Sequence, residues 1–432
     1  MNFRLNKYIF EKSIIILFIV ICFFSGILSY LSYIIDNQVI KLWKEIYIII
    51  LSLFILSINL KLIKIDIKFF LVFIVTMFFC VEILYSYLLN IPIYIIIYQL
   101  KNDFLLLMFA TSIYYFLCAL EERDIIDFSK TIVKVVILWG TINAIAMILE
   151  TIFFEQFLSL IGLDMGNWGT SLGVKIITAG SLLRPIGLQG GFVQAATLIL
   201  ICYFIINENR IYKLKFKILR YIINCILIIA IGLSTYATAI IGLLVYFIVK
   251  FILKINRLSF TAKRNTLFIL GSLLFLFFLY TSHGMGIYEI AYSFYPDKAD
   301  TSILYRIKQH WQIINEVGEN IVSTFLGTGL GFNGVFGLDK ELYGIFPIAT
   351  DSAYIYILSN YGFIGLISYI MILVYCLIYF YKNDVLGIEY CLMYTLIVEF
   401  FFNNTIVNFP INFMLILFIC MGVKLKNIIG KA

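Results

Sequence analysis

Long apolar runs recur along this chain and are separated by shorter polar segments. Most runs are about 20 residues long, the length an α-helix needs to cross a hydrocarbon core about 30 Å thick. The pattern therefore predicts an all-α polytopic membrane protein with about 12 transmembrane helices. The candidate spans are 13–35, 42–60, 67–89, 104–120, 132–154, 185–206, 219–234, 237–255, 265–281, 353–381, 387–402 and 407–423.

Three places in this pattern need interpretation. The run from residue 13 is preceded by three basic residues, is long and is not followed by a small-residue cleavage site, so we interpret it as a retained span. Ser234-Thr235-Tyr236 separates the seventh and eighth runs, which are either two full spans or two half-length helices. Ile91–Tyr98 is apolar but too short to cross, and we expect it at the membrane interface.

Composition and charge agree with this pattern. The chain is 62% hydrophobic and only 13% charged, and its net charge is +7. Of its 32 Lys and Arg residues, 23 fall on one side of the predicted membrane, which predicts that both termini are cytoplasmic. The basic residues are thus topology determinants, and we expect no nucleic-acid partner.

This topology divides the chain into three parts. Residues 1–281 hold spans 1 to 9, with a short outer loop at 155–184. Residues 282–352 form a large extracytoplasmic loop between spans 9 and 10. Residues 353–432 hold spans 10 to 12 and the cytoplasmic C-terminus. A loop as long as 282–352 is usually functional or disordered, and its many aromatic residues argue against disorder.

The stretch GTGLGFNG at 327–334 contains the G-x-G-x-x-G spacing of a dinucleotide-binding turn. That spacing indicates a nucleotide only after a buried strand and at the start of a helix. Neither is expected in an outer loop. We therefore expect the glycines to allow a tight backbone turn or a close approach.

A helix is predicted inside the large loop, over residues 303–317, from the spacing of its apolar residues. We expect its other face to carry Arg306, Lys308 and His310, with Trp311 beside them. Arg binds phosphate oxygens in a bidentate manner, and His exchanges a proton near neutral pH. The alternative is an interfacial helix whose Trp and Arg contact lipid headgroups.

A second polar stretch, 181–198, begins a span. Arg184 stands at its mouth, Pro185 suits a helix start, and Gln189 adds a polar group where lipid-facing residues would be apolar. The stretch is either the wall of a wet cavity or an ordinary helix-packing surface.

Acidic residues complete the candidate chemistry. Asp351, beside Ser352 at the start of span 10, is either a helix cap or a group that accepts a proton. Glu82, Glu150 and Glu399 lie toward the outer ends of their spans, where buried charges usually face a cavity or a partner. We expect them to line one polar chamber, although Glu150 also suits an interfacial position.

We find no Walker loop, no Asp-x-Asp pair on an outer loop and no multi-histidine cluster in the sequence. We therefore predict an activity without cofactor or metal. A reaction outside the membrane then needs a substrate that arrives already activated, such as a lipid-diphosphate sugar whose leaving group cationic side chains stabilise.

Three motifs now coincide in one order along the chain. They are Arg-Pro-Ile-Gly-Leu at 184–188, a Tyr-Arg pair at 305–306 followed by FLGTGLGFNG at 325–334, and DSAYIYILSNYGFIG at 351–365. In this order the chain resembles the O-antigen polymerase and O-antigen ligase superfamily, over about residues 130–420.

The resemblance implies a metal-independent membrane glycosyltransferase of the bacterial plasma (inner) membrane. Such an enzyme transfers glycan from undecaprenyl diphosphate to an acceptor sugar hydroxyl, and so polymerises repeat units of O-antigen, capsule or exopolysaccharide. Its implied partners are the lipid-linked oligosaccharide, the bilayer, and a chain-length regulator and flippase of the same pathway. Arg184, Arg306 and Lys308 would bind the diphosphate. Trp311, Gln189 and Tyr354 would contact the glycan.

Two departures from the family pattern matter. The ligase branch has a catalytic His just before the span that follows the large loop, and here that place reads Thr350-Asp351-Ser352. This favours a polymerase over a ligase and leaves the base open between Asp351 and His310. The junction 234–239, where relatives often carry Ser-x-x-Arg, has no Arg. The alternatives are an oligosaccharide ligase and a lipid-linked oligosaccharide flippase.

Overall fold

The computed structural model describes residues 2–35, 42–59, 67–160, 178–179, 182–214, 216–254, 303–333, 352–381, 384–399 and 404–429. Apart from one antiparallel pair of two-residue strands, β1 (Thr178–Ala179) and β2 (Leu182–Leu183), its regular elements are helices. They are α1 (Asn2–Phe23), α2 (Ser25–Ile35), α3 (Trp43–Ile58), α4 (Ile67–Leu88), α5 (Ile93–Ala119), α6 (Glu122–Ile152), α7 (Phe154–Leu160), α8 (Phe192–Glu208), α9 (Lys217–Leu233), α10 (Ala237–Lys254), α11 (Ile303–Gly318), α12 (Ile321–Leu326), α13 (Ala353–Phe380), α14 (Ile388–Tyr394), a π-helical turn (Thr395–Glu399) and α15 (Ile411–Ile429).

Among the described helices, α5, α6, α13 and α15 are each long and apolar enough to cross a membrane, and the bent pair α1 and α2 makes a fifth candidate. Large apolar side chains lie exposed along α13, including Ile367, Met371 and Tyr375. A water-facing surface rarely shows so many together. The chain is a multi-pass helical membrane protein. The number of twelve spans stays a prediction, and the expected span 265–281 lies outside the described residues.

The first expected span is bent by 74° at Phe24, between α1 and α2. At the bend, the Gly26 N–H donates to the Leu188 carbonyl over 2.9 Å. A Cβ on Gly26 would lie 2.2 Å from the Gln189 backbone, so only glycine allows this approach. Non-helical backbone from residues 184–191 therefore packs against the break.

The segment Ile91–Tyr98 is not a separate interfacial piece. Ile93 begins α5, which continues without a break to Ala119. The sequence hid this continuity because Gln99, Lys101 and Asp103 interrupt the apolar run. Gln99 donates to Asp103 inside the bundle. Because both side chains have a hydrogen-bond partner there, the helix continues past them.

Two helix boundaries differ from those predicted. The span predicted from residue 185 begins as α8 at Phe192, so Pro185 does not start a helix. The span predicted at 387–402 is a seven-residue helix, α14, followed by the π-helical turn. The seventh and eighth runs form two separate helices, α9 and α10.

Contacts between helix termini sort the bundle into two ends. At one end, which we call the basic end, Lys12 Nζ lies 2.5 Å from an Asp127 carboxylate oxygen and Lys424 Nζ donates to Cys118 Sγ over 2.9 Å. These contacts join the starts of α1 and α6 and the ends of α5 and α15. The opposite end, which we call the loop end, holds residues 184–191 and 327–333.

Candidate functional site

The non-helical backbone of 184–191, which we call the arginine segment, is held by a carboxylate from α6. Glu150 Oε2 accepts from the backbone N–H groups of Ile186 and Gly187, over 2.8 and 2.9 Å. Glu150 is 8% exposed. These two hydrogen bonds stabilise a backbone that has no helix or strand to pair it. This explains why α8 starts late.

Two amides continue the same support. Asn143 Oδ1 accepts from the Leu188 N–H over 2.7 Å. The Gln189 side chain is fully buried, donates to the Phe23 carbonyl and accepts from the Ser25 hydroxyl. Its amide therefore bridges the arginine segment to the α1–α2 break. This geometry gives Gln189 a structural role, and it offers no surface to a glycan.

Arg184 lies where the arginine segment meets the junction of α9 and α10. Its Nε donates to Thr235 Oγ1 over 3.1 Å, and its guanidinium carbon lies 4.7 Å from the centre of the Phe192 ring. The side chain is partly exposed. A planar guanidinium stacked on an aromatic face and bonded at one edge has a fixed direction.

The sequence analysis assigned no role to the junction 234–239. In the structure, Thr235 of this junction contacts Arg184. Thr235 has φ 48°, which is uncommon for a β-branched residue. Its hydroxyl accepts from the Arg184 guanidinium. The polar trio Ser234-Thr235-Tyr236 between two apolar runs was the available sequence signal.

The residues 327–333, which we call the glycine turn, follow helix α12 and no strand. Gly327, Gly329 and Gly331 all have positive φ. The surrounding described residues therefore lack the strand and helix start that a dinucleotide turn requires. That the stretch binds no nucleotide stays a prediction, since Gly334 and the residues after it lie outside the described part of the chain.

The glycines bring the turn against its neighbours. A Cβ on Gly327 would lie 2.3 Å from the Ser359 carbonyl oxygen, and one on Gly362 would lie 2.2 Å from the Phe325 carbonyl oxygen. Gly362 is also where α13 kinks, with φ 59°. The turn and the kink thus interlock through backbone.

Neutral side chains from two helices satisfy the turn. Leu330 N–H donates to Ser86 Oγ, and Gly331 N–H donates to Asn360 Oδ1, each over 2.7 Å. The Thr328 N–H donates to the Ser359 carbonyl, also over 2.7 Å. The turn is thereby bonded to α4 and α13, and the bonded N–H groups are not directed at a ligand.

Helix α11 occurs where it was expected, but its faces differ from the prediction. His310 is only 4% exposed and lies on the same face as Ile313 and Val317, which pack on Ile355 and Leu358 of α13. The expectation that His310 lies on the free face was wrong. The sequence analysis treated His310 as a surface group. An imidazole also has an apolar body, however, and can be buried in a core.

The other expected members of the site are only partly described. Trp311 is half-buried on α11. The side chains of Arg306 and Lys308, and all of Asp351, lie outside the described residues. The distance between Arg184 and Arg306 therefore stays a prediction.

The start of α13 is described from Ser352. Ser352 is its N-cap, with the hydroxyl accepting from the Ile355 N–H, so the cap predicted as Asp351 is the next residue. The Tyr354 hydroxyl donates to the Leu396 carbonyl over 2.7 Å, and the ring is buried. Tyr354 thus braces α13 against the π-helical turn.

The buried carboxyls do not share one set of partners. Glu150 supports the arginine segment, whereas Glu82 is fully buried on α4. The Glu399 side chain lies outside the described residues. Among the described side chains, the expected single chamber of three carboxylates is not seen.

A polar cluster that sequence reasoning missed joins α5 to α13. Asp103 accepts from Gln99 over 2.8 Å, from Tyr356 and from Tyr361. Gln99 and Asp103 are four residues apart in an apolar helix, and that spacing was the available signal. The cluster fixes the first half of α13, from which Ser359 and Asn360 reach the glycine turn.

On helix α11, Glu316 is linked to the glycine turn as well. Its Oε2 accepts from Asn333 Nδ2 over 3.0 Å. Burial raises the pKa of Glu316 above its usual value, while the hydrogen bond from Asn333 acts in the opposite direction. The loop helix, the turn and α13 therefore form one connected unit.

No protein-family model matches the chain, and no curated protein or solved structure matches it.

Proposed function

We propose that this chain is a membrane glycosyltransferase that polymerises lipid-linked oligosaccharide repeat units. Arg184 is the observation that supports the proposal. Its guanidinium is oriented by Thr235 and Phe192 at the end of the bundle that also holds the glycine turn and the start of α13. A fixed, partly exposed guanidinium at a membrane face suits a diphosphate leaving group.

The proposed orientation follows the basic residues. The basic end would lie in the cytoplasm with both termini, and the loop end would face outward from a bacterial plasma membrane. A lipid-linked glycan anchored in the outer leaflet would then present its diphosphate at the level of Arg184. Arg306 and Lys308 would add positive charge from α11.

In the proposed reaction, an acceptor sugar hydroxyl attacks the anomeric carbon of the donor glycan. The bond from that carbon to the diphosphate oxygen breaks, and the cationic side chains stabilise the departing charge. A base takes the hydroxyl proton. Asp351 suits this role better than His310, which is buried.

Polymer produced in cells tests the proposal. Arg184→Ala and Arg306→Ala should each abolish long chains and leave single lipid-linked units intact, at equal protein level in the membrane. Lys213→Ala removes an exposed charge at the basic end and should leave chain length unchanged. Normal polymer from both Arg variants would overturn the assignment.

Two other outcomes would indicate a different function. If deletion of the chain leaves polymer intact but unattached to its final acceptor, the protein is a ligase. If single units accumulate on the cytoplasmic leaflet instead, it is a flippase.

A further inference from the structure

An open cleft lies at the loop end, apart from the arginine segment and the glycine turn. Its empty volume, including the part open to solvent, is about 360 Å³. It is formed by the start of α3, the first half of α5 and the segment leading into α15. Its polar lining is Lys44, Glu45, Asn102 and Asn412, and its apolar lining includes Phe409 and Phe413.

Lys44 supplies a hydrogen-bond donor to this cleft. Its ammonium lies 5.9 Å from the centre of the Phe409 ring. Among the described residues it makes no salt bridge and no side-chain hydrogen bond. A partly buried ammonium with no acceptor calls for a ligand or water to bond it.

Glu45 supplies the matching acceptor. Its Oε1 accepts from Lys101 Nζ over 2.9 Å, which holds the carboxylate in one orientation. The ammonium of Lys101 in turn lies 4.0 Å from the Tyr98 ring centre. Glu45 Oε2 is buried, and no group in the described part of the chain donates to it.

Aromatic rings form one wall of the cleft. Phe409 packs edge-on against Trp43, with ring centroids 5.7 Å apart, and against Phe413 at 5.7 Å. Asn412 is fixed below them, because its Nδ2 donates to the Ile406 carbonyl and its Oδ1 accepts from the Phe413 N–H. The wall is therefore rigid and apolar, beside a donor and an acceptor.

Because the cleft contains both a donor, Lys44, and an acceptor, Glu45, only some classes of ligand can satisfy it. An anion would bond Lys44 but would leave the buried Oε2 of Glu45 without a donor, and a cation would bond Glu45 but would leave Lys44 without an acceptor. An apolar molecule would leave both charged groups without partners. A hydroxyl both donates and accepts, so neighbouring hydroxyls of a sugar ring satisfy Lys44 and Glu45 together. The apolar face of such a ring packs on an aromatic wall.

We infer that this cleft is a glycan-binding subsite that holds a sugar residue of the repeat unit through Lys44 and Glu45. The inference rests on the proposed function for the identity of the glycan. In the polymerase it would position the glycan of one lipid-linked substrate while the arginine segment holds a diphosphate. Sugar binding at the cleft can nevertheless be measured without turnover.

The experiment uses repeat units that accumulate on lipid in source cells deleted for this chain, released from the lipid by mild acid. Their binding to the purified full-length protein is measured by titration calorimetry. Lys44→Met and Glu45→Gln should each weaken binding about tenfold or more, since each removes one charge-assisted hydrogen bond. Lys213→Met is the control: it removes an exposed charge at the basic end, away from the cleft, and glycan binding should stay within about twofold of wild type.

Each result decides the inference. Undetectable binding to the wild-type protein, or equal binding by wild type and both cleft variants, would overturn it. Equal weakening by Lys213→Met would show that the loss of binding is not specific to the cleft and would overturn the inference. Binding of glycan-free undecaprenyl diphosphate that is lost in Lys44→Met would make the cleft an anion site instead.

The same preparations separate this inference from the proposed function. Polymer formed in reconstituted membranes, with unaltered glycan binding in the cleft variants, would refute the cleft and leave the polymerase intact. Cleft-dependent glycan binding without polymer formation would do the opposite.

Discussion

The arginine segment and the glycine turn are both irregular backbone at the loop end of the bundle, but they are held by different means. In the arginine segment, the buried Glu150 carboxyl and the Asn143 amide accept the backbone N–H groups, and the Arg184 side chain is partly exposed. In the glycine turn, neutral hydroxyl and amide oxygens accept the backbone N–H groups. Glycine has no Cβ atom, which allows the turn to pack closely against its neighbours.

This difference distinguishes a segment that packs against its neighbours from one that orients a charged side chain. The glycine turn carries the more familiar sequence pattern, yet its backbone is bonded to α4 and α13 and it presents no charged side chain. The arginine segment carries the weaker pattern, yet it orients Arg184. Glycine spacing here indicates close packing, and the residue that we propose to bind the diphosphate, Arg184, lies in the segment that Glu150 supports.

The largest expected effect is on the interlock between the turn and the kink. Gly362→Ala should destabilise the protein by about 3 kcal/mol or more, since a Cβ would overlap the Phe325 carbonyl and φ is positive. Thermal unfolding in detergent and size-exclusion profiles measure this.

Gly318→Ala is the matched control for that substitution. No atom lies within 4 Å of its added Cβ, so stability should change little. A Gly362→Ala protein as stable as the Gly318→Ala protein would contradict the interlock.

The next effect concerns the carboxylate that supports the arginine segment. Glu150→Ala leaves the buried N–H groups of Ile186 and Gly187 unpaired and should cost about 3 kcal/mol. Glu150→Gln keeps an acceptor and should cost about 1 kcal/mol. Equal melting temperatures for the two variants would show that the hydrogen bonds do not hold the segment.

The helices of this protein are largely readable from its sequence. Helices occur at the predicted positions 42–60, 67–89 and 353–381, as α3 (Trp43–Ile58), α4 (Ile67–Leu88) and α13 (Ala353–Phe380), of which α13 is long and apolar enough to cross a membrane. Runs of apolar residues determine these helices by themselves, because a helix satisfies its own backbone.

The errors arose where a partner distant in sequence decides the outcome. Residues 185–191 look like a helix start, but Glu150 and Asn143 hold their N–H groups in another conformation. Polar Gln99 and Asp103 look like a helix end, but Tyr356 pairs them inside the bundle. Local pattern carries no information about either partner.

A smaller effect is expected at the partner of Arg184. Thr235→Ala removes the acceptor of the Arg184 Nε–H and should lower the rate of polymer formation about fivefold to tenfold, because the guanidinium loses one fixed contact. Thr235→Ser keeps the hydroxyl and should retain most activity. If alanine and serine variants are equally active, Thr235 does not orient Arg184.

The smallest effect is a pH dependence at the glycine turn. The pKa of Glu316 is raised on folding, so the folded state binds the proton more tightly than the unfolded state. Stability from this group is therefore fully present below the unfolded pKa and is lost as pH rises through the folded pKa.

Melting temperatures measured from pH 5 to pH 8 test this sign. Glu316→Gln keeps an acceptor for Asn333 and removes the titration, so its melting temperature should fall less than that of wild type as pH rises. A parallel pair of curves would show that Glu316 does not contribute.

The central claim is tested most directly with purified protein in lipid vesicles that contain two preparations of lipid-linked repeat units, one isotopically labelled. We predict products that join labelled and unlabelled units through new glycosidic bonds, formed at least about 100-fold more slowly by Arg184→Ala. Translocation of units without bond formation, or equal product from Arg184→Ala, would contradict the account.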